Sequence, residues 1–249
     1  MSELPFHVRV YCDFNQSLRR AFTQKYTHSQ INRPHDCVLN LKLGFNQNMK
    51  VPLPIQEALT ACHQSFSSSG EPSFESRRQL LLTFEALGVA SHTEEARYRR
   101  TLLAIKCAQK SLAEWETVLP TDREPHLLLE LLASAMCGKV AAKDLESRNN
   151  AYRTHVDDVL FLGEAYHPAA YAGFSCFAAV AQLLYDDVPE FMAGGELEVD
   201  PQEWGAEFLA SLAYCGGAVW ENIGSPECRR EFWLWYLDEA VPSAFNDGR

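Results

Sequence analysis

Paired carboxylates at Asp157-Asp158 and Asp186-Asp187 are the first groups in this sequence whose types could move protons or hold a metal. General acid-base work needs two groups converging on one point, and neighbours in a helix project about 100° apart, so neither pair converges unaided. His155, Asp158 and Glu164 could line one cleft, although a solvated helix face accounts for them with fewer assumptions. His35-Asp36 has the residue types of a metal-binding step. Metal-assisted hydrolysis would need further His and Asp ligands projecting from helices, whereas this pair follows Arg33-Pro34 in an irregular stretch. Eight cysteines are scattered through apolar surroundings, no two closer than thirteen positions, and they read as reduced, mostly buried thiols of a cytosolic protein. The sequence also lacks GxSxG, HExxH and the glycine loops that cradle phosphates. No residue is therefore assigned a catalytic or metal-ligating role, and no cofactor is expected.

Charge is more informative. Residues 1–159 carry 19 Lys and Arg against 18 Asp and Glu, whereas residues 160–249 carry 3 against 15, so the whole net charge of −11 lies in the last third. Such a region repels phosphate backbones and attracts cationic surfaces, which argues against nucleic acid and for a basic partner. The same carboxylates also serve solubility. Nothing like a signal peptide opens the chain, since His7, Arg9 and Asp13 interrupt MSELPFHVRVYCDF, so a cytoplasmic protein without a membrane partner is expected.

These groups must be positioned by helices. Tyr98, Leu102, Ile105, Ala108, Leu112, Trp115 and Leu119 recur at three or four residues and draw one stripe down a helix, with Arg99, Lys106, Lys110 and Glu114 away from it. Further helices are predicted from Pro125 to Gly138, from Asp144 to Leu162 with Gly163 as the stop, and through PAAYAGFSCFAAVAQLLYDD. In that last segment Ala169, Ala172, Gly173 and Ala179 permit close approach of a neighbour. Asp200-Pro201-Gln202-Glu203 has the form of a capping box and predicts a helix from Pro201 to Tyr214, interrupted at Gly216-Gly217. Ser225-Pro226 should open the last helix, running to Val241-Pro242. There Phe232, Trp233, Tyr236, Leu237 and Ala240 share one core-facing arc, and Trp235 projects elsewhere, either beneath a second layer or as an anchor for a partner.

The N-terminal part alternates differently. Phe6, Val8, Val10 and Cys12, then Leu39, Leu41, Leu43 and Phe45, suggest two short strands. The expected fold is mainly all-α, a multi-helix bundle of antiparallel helices with a small irregular or β-containing N-terminal segment. Residues 1–66 form that segment and 73–249 the helical domain, with SSSGEPS, Ser67 to Ser73, as linker or exposed loop.

Several stretches taken in order resemble the fifth immunity-protein family of bacterial polymorphic toxin systems. They are RRTLLAIKCAQKSLAEWETVLPTDREPHLLL, RNNAYRTHVDDVLFLG, the PAAYAG run, DPQEWGAEFLASLAYCGGAVWE and SPECRREFWLWYLDEAVPSAF, over about Arg97 to Phe245. The resemblance implies a mostly helical, cytosolic, non-enzymatic inhibitor that binds one toxin domain. It supplies no binding residues. The charge asymmetry ranks the surfaces instead, and places partner binding at Asp186, Asp187, Glu190, Glu196, Glu198, Asp200 and Glu203, with Trp235 added. An enzyme that reverses toxin damage, such as a helical hydrolase, and a helical adaptor of a secretion system are the alternatives.

Overall fold

The structure, a computed structural model, describes residues 51–89, 93–185, 204–218 and 223–246. All regular structure among the described residues is helical: α1 (Leu53–Gln64), α2 (Phe74–Val89), α3 (Thr93–Val118), α4 (Glu124–Met136), α5 (Ala142–Leu160), α6 (His167–Tyr185), α7 (Ala206–Tyr214), α8 (Pro226–Trp235) and α9 (Val241–Asn246). The all-α expectation holds there. The two expected strands and His35-Asp36 lie outside the described residues.

Helix α6 is the axis of the bundle. Its residues 169–177 are all buried, and α3, α5 and α7 pack around it. By length and composition the stretch Glu164–Tyr185 would also pass for a membrane span, but 61% of its apolar window is buried inside the fold. Small side chains make this possible. A Cβ added to Gly173 would lie 2.8 Å from Trp115 Cζ3 and 2.8 and 2.9 Å from the methyls of Val156, so α3 and α5 both press on this one position. Two polar side chains bond across the contacts of α6: Ser175 Oγ donates to the Ala206 carbonyl of α7 at 2.7 Å, and Asn149 Nδ2 of α5 to that of Phe177 at 3.3 Å.

The helix faces follow their periodicity. Leu145, Asn149, Tyr152, Val156 and Val159 bury one side of α5. Along α3 the expected stripe is buried from Leu102 to Trp115, and Leu103, Ala104, Cys107 and Ser111 widen it because α3 lies between other helices. The Ser225 cap is confirmed, its side chain accepting the Cys228 N–H at 3.1 Å with proline next in line. Gly216 and Gly217, at φ 79° and 153°, end the α7 region as expected.

Two boundaries differ most. Helix α7 starts at Ala206 rather than Pro201, because Gly205 is extended (φ −65°, ψ 158°) and turns Trp204 inward, where it is buried edge-on against Phe208 at 5.2 Å. The Asp200 capping box itself lies outside the described residues. At the other end, Pro242 does not terminate the last helix. A π turn over Tyr236–Ala240 widens the chain, with the Val241 N–H bonded to the Tyr236 carbonyl, and Pro242 then falls in the first turn of α9, where no amide hydrogen is needed.

Ser67 to Ser73 is a loop, but a docked one. Gly70 (φ 88°) is buried against Pro226, whose carbonyl oxygen would lie 1.9 Å from any Cβ there, and Glu71 approaches buried Arg229 at 3.8 Å. Helix α1 joins the same core through Ile55, Ala58 and Cys62. The interior is pinned by Arg77 of α2, whose guanidinium stacks on Trp233 at 4.5 Å, Phe208 at 5.6 Å and Phe74 at 5.9 Å.

Two consequences can be measured. Gly173→Val should cost about 1–3 kcal/mol in denaturant unfolding, since neither Trp115 nor Val156 has room to retreat; an unchanged midpoint would contradict the close approach. Burial pushes the thiol of Cys62 up from the ordinary 9.0 to about 11 and that of Cys176 to about 12. The unfolded chain therefore loses these protons first, so stability should be intact below pH 9.0 and fall as pH climbs through 11 towards 12. Melting temperatures measured across that range check it.

Candidate interaction surface

Seven of the eight residues assigned to partner binding, Asp186, Asp187, Glu190, Glu196, Glu198, Asp200 and Glu203, lie outside the described residues. What the structure fixes is the two ends of their segment. It leaves α6 after Tyr185, whose hydroxyl donates to Glu146 of α5 at 3.0 Å. It returns at buried Trp204, next to an α7 start that is bonded to Ser175 in the middle of α6.

Trp235, the eighth, is half-buried at the end of α8. The expected arc of Phe232, Trp233, Tyr236, Leu237 and Ala240 is buried throughout. Trp235 lies outside it but rests on Phe232 at 5.5 Å and contributes to the core from its edge. Lys110 of α3 reaches over the ring at 5.0 Å and over Tyr214 at 5.3 Å, so a cation from the chain itself covers the face a partner would use. The Tyr214 hydroxyl donates to Glu231 at 2.7 Å; that bond, ahead of burial, pushes its pKa up to about 12. On the remaining side Asp238 meets His63 of α1 at 2.9 Å.

The other groups raised by the sequence separate. His155 meets Asp122 at 2.6 Å and lies edge-on to Trp115 at 5.6 Å, tying α5 to the turn before α4. Asp157 bonds Arg153 within α5 at 3.1 Å. Asp158 and Glu164 are exposed, on a helix face and at a turn, rather than in a cleft with His155. Among the described residues no group of three or more His, Cys, Asp or Glu side chains could hold a metal. Sequence reasoning missed Phe161 and Leu162, which it placed inside a helix. The α-helix stops at Leu160, and these two side chains are 70% and 59% exposed. Nothing in their spacing distinguishes them from core residues.

An all-α scaffold with charged and aromatic groups on its surface is the class the geometry defines. The sequence pattern of the family described as Immunity protein Imm5 matches residues 59–243, so the chain belongs to the Imm5 immunity protein family. The match begins in α1, upstream of the Arg97 at which the sequence resemblance begins. No curated protein matches the chain. Family membership implies a protein toxin as partner in general terms.

Trp235 gives a prediction independent of any partner. Trp235→Ala should lower stability by about 1–3 kcal/mol, and a double-mutant cycle with Lys110→Met should return a coupling of about 0.5–1 kcal/mol. A coupling of zero would mean the lysine is only a neighbour.

Proposed function

We propose that this protein binds and neutralises a cognate toxin domain in the cytoplasm by forming a non-covalent complex, presenting an acidic surface to a basic toxin and performing no bond-breaking chemistry of its own. The observation that carries the reading is the family match over residues 59–243. The acidic surface is supported by sequence: the stretch from Asp186 to Glu203 holds seven carboxylates and no Lys or Arg. Carboxylates gathered in one segment suit a cationic substrate cleft, such as that of a nuclease or of an enzyme that uses nucleotides. Complementary charge speeds association more than it tightens the complex, and inhibition has to outpace toxicity.

The decisive experiment is co-expression with the C-terminal domain of a toxin encoded directly upstream, scored by survival and co-purification. Association should slow about tenfold or more as salt rises from low to several hundred millimolar, and Glu196→Lys with Glu198→Lys should slow it at low salt. An on-rate indifferent to salt would remove the acidic surface from the account. Turnover of the toxin's product by the isolated protein would replace inhibition with repair.

A further inference from the structure

The turn between α5 and α6 exposes five successive residues, Phe161 to Ala165. Phe161 and Leu162 are more exposed than most large apolar side chains in a folded protein, at 70% and 59%. The fold does not call for their apolar character. Their contribution to the turn is through the backbone, with the Phe161 N–H bonded to the Asp157 carbonyl at 3.2 Å and the Leu162 N–H to that of Val159 at 3.1 Å, bonds any residue would make. The next residue fixes the direction. Gly163 has φ 125° and ψ 175°, a backbone region open to glycine alone, yet a Cβ there would meet nothing within 4 Å. Glycine is thus required by the path of the chain and not by crowding, and that path is held by the Tyr166 N–H bonding the Gly163 carbonyl at 2.9 Å. Asp158, one turn before Phe161, and Glu164 flank the apolar pair, both exposed and neither with a partner among the described residues.

We propose that Phe161 and Leu162, set between Asp158 and Glu164, form a preorganised docking knob that enters an apolar pocket rimmed by cationic side chains on the toxin domain. The occupant follows from charge: a bare apolar pair would fit many hydrophobic surfaces, whereas one bracketed by unpaired carboxylates selects a pocket with basic edges. This assignment rests on the neutralisation reading and adds a contact to it. The knob sits before the first turn of α6, whose nineteen residues run about 28 Å to Tyr185, and it shares no residue with the acidic segment, so the two are substituted separately.

The test titrates the C-terminal domain of the upstream-encoded toxin into the full chain. Phe161→Ser with Leu162→Ser should weaken binding roughly 30-fold or more while the melting temperature holds, since both side chains are exposed. Asp158→Lys with Glu164→Lys should slow association about tenfold and flatten its dependence on salt. Amide hydrogen exchange at residues 163–165 should be fast in the free protein and slow in the complex. Wild-type binding with unchanged affinity in the serine variant overturns the knob and leaves neutralisation standing, whereas a wild type that does not bind the domain removes both. Slow exchange in the free protein would mean the chain already covers this turn, and overturns the knob as well.

Discussion

The constraint on which the rest of the structure depends is the room left at Gly173. Trp115 from α3 and Val156 from α5 both press to within 2.8 Å of where a side chain would begin, so three helices meet at a point that tolerates only a hydrogen. Ala169, Ala172 and Ala179 keep the remaining faces of α6 low, and α7 comes close enough for Ser175 to reach the carbonyl at its start. A larger residue at this point would move α3 or α5, and with them the His155–Asp122 bond and the turn that displays Phe161.

Around that axis the chain closes on itself through contacts distant in sequence. Gly70 lies under Pro226, His63 meets Asp238, Arg100 pairs with Glu85, and Phe84 rests on Phe245 at 4.6 Å. Arg77 adds a buried cation that lies against three aromatic faces, from its own helix, α7 and α8. Removing one of those rings leaves the buried guanidinium less compensated, so Arg77 and its aromatic partners belong to the scaffold.

What was legible in the sequence is what local physics decides. The three-and-four spacing of α3, the serine-proline start of α8 and the Gly216-Gly217 break all express forces between residues a few positions apart, and the structure keeps them. What misled was tertiary. Extended Gly205 turns Trp204 inward onto Phe208, and α7 begins only after it. A π turn makes Pro242 harmless, and no periodicity announces a π turn. SSSGEPS has a linker's composition but lies docked on α8, because the fit of Gly70 beneath a carbonyl is invisible until both partners are in place. On the candidate surface the same divide appears: the charge asymmetry could be counted, while the exposure of Phe161 and the lysine over Trp235 depend on what surrounds them.

The same divide separates two kinds of residue in the fold. Residues that set helix packing, such as Trp115, Gly173, Trp204 and Trp233, are held by contacts on several sides and cannot change one at a time. Exposed side chains such as Phe161, Asp158 and Glu164 are tied only through their backbone, so the fold places no demand on their identity. Recognition of a protein partner draws on both properties in one molecule: a core rigid enough to hold a surface in place before contact, and a surface free to differ without cost to that core.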